Sequence, residues 1–239
     1  RKKHHFSSFF NELDEHDEFK KVMQSELMES DPSLNFFHRN YFLFAKGIYY
    51  YAQADYKKAN IIANEMLKLW EANKEMNKIF FGAFYNTYYN KALNEMKREE
   101  FSEAISTCKK LFSDLDELNK GNTFDRYMLY NLMVNIYNTC GYFDKGVEMA
   151  KEYKLAREKL KKNIHRAQAD QLYHSNLAIA YFGVGDFKSA NKHINEIINN
   201  EIDYTNDVTC LAYFLSLVIH SEMGNTELLT YRIKSVQRY

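Results

Sequence analysis

The chain of 239 residues carries 32 lysines and arginines against 32 aspartates and glutamates, so it has no net charge that would attract nucleic acid or an anionic membrane. One proline and eight glycines leave few helix breakers, while 19 tyrosines and 18 phenylalanines supply large side chains for the seams between helices. These features predict an all-α fold and no nucleic-acid partner.

The first predicted element is an N-terminal helical cap or partial repeat at residues 1–30, where apolar residues follow two short helical patterns. Ser30, Asp31 and Pro32 then provide a capping side chain and a proline, which commonly start a helix. From residue 31 to residue 239 the apolar pattern predicts a series of helix–turn–helix hairpins. Their expected ranges are about 33–73, 76–118, 124–161, 165–199 and 206–239.

The hairpins share one pattern, which is clearest in the fourth. Ala178 and Tyr181 lie on its first helix, Gly185 marks the turn, and Phe187 and Ala190 lie on its second helix. Copies of this pattern recur 39 to 45 residues apart, a period typical of α-solenoids. In the five copies the turn position falls at Ala54, Glu99, Gly141, Gly185 and Gly224, and the last small position falls at Ala59, Ala104, Gly146, Ala190 and Leu229.

The order small–x–x–Tyr, then Gly–x–Phe–x–x–Ala, resembles the tetratricopeptide repeat (TPR) family over about residues 42–236. The likeness is specific in the third and fourth copies. Glu95 and Glu99 replace the aromatic residue and the turn glycine in the second copy, and His220 and Thr226 replace both aromatics in the fifth. The resemblance implies a right-handed α-solenoid of about five TPR-like hairpins, with a period longer than the usual repeat of about 34 residues. HEAT-like packing is the alternative.

Residue types that carry catalysis or bind metals show no matching spacing. The cysteines Cys108, Cys140 and Cys210 lie in separate repeats without ligand spacing, which predicts reduced, packed thiols. His193 and Glu196 share a helix face, but the second set of ligands that a metal site in a helix bundle needs is missing, so we interpret them as a solvated face. We therefore predict a protein that is not an enzyme, with no catalytic residue, no bound metal and no cofactor.

Asparagine is the polar residue whose placement suggests a binding site. Asparagine is at best a modest helix former, yet it recurs on the first helices of hairpins two to four. The TPR resemblance implies that these helices line a concave groove, where asparagines hold a peptide backbone. The alternative is an AT-rich genome that encodes Asn, Lys and Tyr often. The asparagines concerned are Asn86, Asn90, Asn131, Asn135, Asn138 and Asn176. The predicted partner-binding residues are Asn90, Asn131, Asn135, Asn138, Asn176, Tyr130 and Tyr173.

The expected function is that of a bacterial, non-enzymatic scaffold that binds a protein or peptide on the concave face of its repeats. The alternative function is the sensor region of a peptide-responsive transcriptional or signalling regulator, similar to the TPR-type peptide-pheromone receptors. Its effector domain would lie outside this chain.

We predict no membrane-spanning segment, because the longest apolar run, from Val208 to Ile219, is too short to cross a bilayer. A cytoplasmic location is favoured. An envelope-anchored or periplasmic location stays open, because the chain begins with Arg1 instead of Met and its start is consistent with a cut end.

Overall fold

The computed structural model describes residues 35–118, 123–159, 164–199 and 206–225, together with Leu229 and Ile233. Every regular element in these ranges is an α-helix, so the all-α prediction is confirmed. The expected cap at residues 1–30 and most of the second helix of the fifth hairpin lie outside the described residues. The chain divides into two compact units, Arg1–Gly121 (unit 1) and Asn122–Tyr239 (unit 2).

In the residues that the structure describes, unit 1 contains two helical hairpins that share one interface. Helix α1 packs against α2, α4 packs against α5, and α2 also packs against α4. The side chains of Asn35 and Asp55 cap α1 and α2 by accepting from the backbone N–H groups of His38 and Lys58. The helices are α1 (Phe36–Ala52), α2 (Tyr56–Ala72), the short α3 (Met76–Ile79), α4 (Phe81–Lys97) and α5 (Phe101–Glu117).

Trp70 joins α2 to α4 in the core of unit 1. Its side chain is 1% exposed, and its ring meets those of Phe36 and Phe84 edge to face at 4.8 and 5.9 Å. The indole N–H donates to the hydroxyl of Thr87 at 3.1 Å, and that hydroxyl donates in turn to the carbonyl of Ala83 at 2.9 Å. This arrangement determines which face of α4 is turned away from α2.

Within its described residues, unit 2 is organised around helix α8, which packs against α6, α7, α9 and α10. Aromatic side chains dominate the junction of α6, α7 and α8, where Tyr127, Tyr153 and Tyr173 are at most 4% exposed. The small residue Ala190 and the larger Ile194 fill the junction of α8 with α9. The helices are α6 (Thr123–Thr139), α7 (Phe143–Glu158), α8 (Ile164–Gly183), α9 (Phe187–Asn199) and α10 (Asn206–Glu222).

The turns that follow α1, α4, α6, α8 and α10 have the same backbone geometry. The turn residue adopts a left-handed conformation, with φ of 54° and 62° at the two non-glycine positions and 70° to 80° at the glycines. Its N–H donates to the carbonyl three residues earlier, and the next N–H donates to the carbonyl five residues earlier, which is the Schellman motif. The turn positions expected from the sequence are confirmed: they are Ala54, Glu99, Gly141, Gly185 and Gly224.

The small positions of the repeat pattern lie where two helices approach closely. Ala59, Ala104 and Ala190 are at most 1% exposed. A Cβ atom added to Gly146 would lie 3.2 Å from both the Ala180 Cβ and the Asn138 Oδ1. Helices can pack at this distance only if the residue between them is small.

Gly183, the last residue of α8, provides a sharper test of close packing between two helices. A Cβ atom there would lie 2.1 Å from Cγ of Phe143 on α7, so either the ring or the end of the helix must move. We expect Gly183→Ala to lower the free energy of unfolding by about 1–3 kcal/mol, measured by denaturant titration.

The matched control is Gly82→Ala in the first turn of α4, where an added Cβ meets nothing within 4 Å. That change should be neutral or stabilising by about 0.5–1 kcal/mol, because alanine loses less backbone entropy on folding. If both variants were equally stable, the close approach of α8 to Phe143 would be contradicted.

Candidate functional site

The candidate site is a cavity in unit 1 bounded by α1, α2 and α4. Its volume is about 490 Å³, within the range of roughly 300–1,000 Å³ that is usual for ligand pockets. Most of its wall is apolar. The apolar side chains include Phe44 and Ile48 from α1, Ile62, Ala63 and Met66 from α2, and Leu93 from α4.

One wall of the cavity carries a row of three amides. Asn86, Asn90 and Asn94 are spaced by four residues along α4, so they follow one face of the helix. Asn86 is exposed, Asn90 is half-buried and Asn94 is 3% exposed. The row therefore becomes more buried toward the C-terminal end of α4. Among the described residues, the Asn94 Oδ1 has no hydrogen-bond partner.

The remaining polar groups of the cavity are hydroxyls. Burial raises the pKa of Tyr89 to about 12, and it also raises the pKa of Tyr51, so both phenols are neutral near pH 7. Thr87 also lines the cavity and holds α4 against Trp70. Each of the residues that line the cavity in the described part of unit 1 is uncharged. The site can offer hydrogen bonds and apolar contact, but it does not offer an ion pair.

Of the predicted partner-binding residues, Asn90 lies in this cavity. Asn86, which belongs to the same series of asparagines but is not among the predicted binding residues, also lies there. Asn94, Thr87 and Tyr51 were missed. The four-residue spacing from Asn86 through Asn90 to Asn94 was the available signal. A cavity between helices that are far apart in the sequence cannot be predicted from a local sequence pattern.

Three other predicted residues come together in unit 2, in a buried network of amides. The Asn176 amide on α8 donates to the Asn131 Oδ1 and, at 3.3 Å, to the Asn131 backbone carbonyl on α6. The Asn138 side-chain amide donates to the Asn176 backbone carbonyl at 2.8 Å, and the Tyr153 hydroxyl on α7 donates to the Asn131 Oδ1 at 2.8 Å. These side chains are at most 9% exposed, so their hydrogen bonds join the helices of unit 2. Their partner-binding role stays a prediction.

The last three predicted residues lie around this network. Tyr173 is 4% exposed, its ring meets Tyr153 edge to face at 4.6 Å, and the guanidinium of Arg157 lies 5.1 Å from its centroid. Tyr130 is half-buried and stacks on Tyr153 at 6.3 Å. Asn135 is half-buried, and its backbone carbonyl accepts from the Thr139 hydroxyl. A partner-binding role for these three also stays a prediction.

A pair of imidazoles lies between α8 and α9. The Nδ1 atoms of His174 and His193 are 3.0 Å apart, and Tyr181 stacks on His193 at 5.5 Å. Burial is the main cause that lowers the pKa of His174 to about 3 and that of His193 to about 4. The proximity of His193 lowers the pKa of His174 further, and the nearby Arg157 and Lys192 lower both. The interpretation of His193 as part of a solvated face is therefore wrong, because its ring faces α8.

The described part of the chain has neither a metal site nor a membrane-spanning helix. Its histidines, cysteines and acidic residues form no group of three or more that could hold a metal ion. None of its helices combines the length and the hydropathy needed to cross a membrane. The cysteines are free thiols, and burial raises the pKa of Cys108 to about 12. Cys140 is half-buried and Cys210 is exposed, so the prediction of packed thiols is wrong for Cys210.

The fold and the site define a protein of helical hairpins with an uncharged, amide-lined cavity. Comparison with protein-family models and with curated proteins finds no match.

Proposed function

We propose that this chain is a non-enzymatic binding module whose hairpins form a TPR-like solenoid and hold an extended segment of a protein or peptide. The observation that carries the proposal is the row of Asn86, Asn90 and Asn94 along the wall of the unit 1 cavity. A concave apolar site with a few polar groups is the usual form of a binding site.

The spacing of the amides suits an extended backbone. Four residues of α-helix advance by about 6 Å, and two residues of extended chain advance by about 6.6 Å. Successive asparagines on α4 are thus in near register with alternate peptide units. Because each carboxamide offers both a donor and an acceptor, one asparagine can pair with both groups of a peptide unit.

The apolar wall opposite this row would supply most of the binding free energy. Phe44 and Ile48 of α1 line the cavity and are only half-buried, so they keep apolar surface that a ligand can cover. A ligand side chain that covers them removes apolar surface from water, which stabilises the complex by about 25 cal/mol per Å² before the entropic cost of association. The amides would then determine the register of the bound ligand, and the apolar contacts would determine its affinity.

The test is calorimetry with a peptide selected on the immobilised chain from a random display library. We expect Asn90→Ala to weaken binding of that peptide by about 5- to 100-fold, because a backbone group of the ligand is left without a partner in a half-buried site. Helicity and melting should change little, since alanine is the better helix former.

Asn64→Ala is the matched control, because Asn64 is exposed on α2 and is not one of the residues that line the cavity. It should bind the selected peptide as tightly as the parent chain does. If Asn90→Ala also bound as tightly as the parent, the asparagine row would have no part in peptide binding. If the library yielded no binder, the proposed function would be contradicted.

A further inference from the structure

We infer that the cavity of unit 1 takes one large, uncharged apolar side chain together with the peptide units on either side of it. This inference rests on the proposed function and names the chemistry of its ligand. The cavity has an apolar wall from α1 and α2 and an amide wall from α4. A ligand that satisfies both walls is itself apolar on one side and amide-bearing on the other.

The exclusion of charged ligands follows from the lining. A carboxylate or an ammonium group that enters the cavity leaves water and meets no counter-charge, because each described lining residue is neutral. The phenols do not change this, since the raised pKa of Tyr89, about 12, keeps it protonated at neutral pH. Glutamate and lysine side chains are therefore rejected in favour of leucine, methionine or phenylalanine.

The buried end of the amide row favours a ligand with a hydrogen-bond donor. Asn94 is 3% exposed, and its Oδ1 lacks a hydrogen-bond partner among the described residues. Because Asn94 lines the cavity, its carboxamide oxygen could accept from a ligand N–H if the side chain turned toward the ligand. Such a ligand supplies a hydrogen bond that the free protein lacks, which an apolar molecule without an amide does not.

Gly47 provides a way to block the cavity without disturbing its walls. It lies on α1 and lines the cavity, and a Cβ atom added there meets Ile62 Cγ2 at 3.5 Å, an ordinary van der Waals contact. Because Gly47 lines the cavity, the larger side chain of leucine should fill part of its volume. Gly47→Leu is thus a plugged variant, and Gly47→Ala is its matched control with most of the volume left open.

The experiment uses capped single amino acids as probes of the full chain, followed by NMR of its methyl groups. N-acetyl-leucine N-methylamide should shift the methyl signals of Ile62, Met66 and Leu93 and saturate at about millimolar concentration. The corresponding glutamate and lysine probes should bind at least tenfold more weakly. Gly47→Leu should lose the leucine response, while Gly47→Ala should retain it.

A second plug, Ala63→Leu on α2, repeats the test from another wall in case Gly47→Leu does not fold. The inference is overturned if the charged probes bind as tightly as the leucine probe, or if both folded plugs keep the response. A display-selected peptide that binds the plugged variants normally would overturn it and leave the proposed function standing. If the leucine probe binds this cavity and no peptide does, the site chemistry is supported and the proposed function fails.

Discussion

The free energy of unfolding is expected to fall by about 6 kcal/mol between pH 7 and pH 4 because His174 and His193 resist protonation in the folded state, and a shift of one pKa unit corresponds to about 1.4 kcal/mol. Both rings lie between α8 and α9 with a folded-state pKa of about 3 and about 4. The neutral rings are therefore strongly preferred in the folded state.

The sign follows from counting protons. An unfolded histidine has its ordinary pKa, about 6.5, so between that pH and the folded values the unfolded chain binds more protons than the folded chain. Stability is therefore complete above about pH 6.5 and is lost progressively as the pH falls. Burial is the main cause, and the charges of Arg157 and Lys192 oppose protonation of both rings. Tyr173 and Tyr181, which also contact the pair, stay neutral in this range.

The measurement is denaturant unfolding, followed by circular dichroism at pH 7, 6, 5 and 4. The double variant His174→Asn, His193→Asn replaces the two rings with amides that can pair but do not titrate. It should lose much less stability than the parent over this range, and the carboxylates common to both chains cancel in the comparison. His38→Asn, at an exposed histidine, should behave as the parent does. Parallel pH profiles for parent and double variant would contradict the role of the pair.

The second large effect is expected at Trp70, the single tryptophan of the chain. Trp70→Ala should lower the free energy of unfolding of unit 1 by about 3–5 kcal/mol, because it leaves a cavity where a fully buried ring met Phe36 and Phe84. The junction of α2 and α4 also forms two walls of the candidate site. Binding of the selected peptide should therefore weaken along with stability.

Trp70→Phe is the control for this change. It keeps a ring in the core and removes the N–H that donates to Thr87, whose hydroxyl still donates to the Ala83 carbonyl. Its cost should be clearly smaller than that of Trp70→Ala. Unfolding of the variants is followed by circular dichroism, since they lack the indole. If alanine and phenylalanine at this position gave the same stability, the ring packing would not be what holds α2 against α4.

The repeated turn was predictable because its causes are local. The residue types that favour a left-handed turn between two helices lie within about ten residues of that turn, as in Gly185 followed by Asp186 and Phe187. Glu99 lacks the preference of glycine for this conformation. The spacing of the clearer repeats nevertheless predicts a turn there, and Glu99 adopts φ of 62°. Helix, turn and small-residue positions depend on backbone sterics and on spacing, both of which are written along the chain.

The role of a polar side chain was decided by tertiary structure. Asn90 and Asn176 looked equivalent by their positions on first helices, yet Asn90 lines a cavity and Asn176 bonds to Asn131 across two helices. The close pairing of His174 with His193 likewise depends on the rotation of α8 against α9. The sequence by itself determined where helices start, turn and pack closely. Some amides are hydrogen-bonded inside the fold and others line a cavity. Which of the two applies depends on packing between segments far apart in the chain, and a local sequence pattern does not determine that packing.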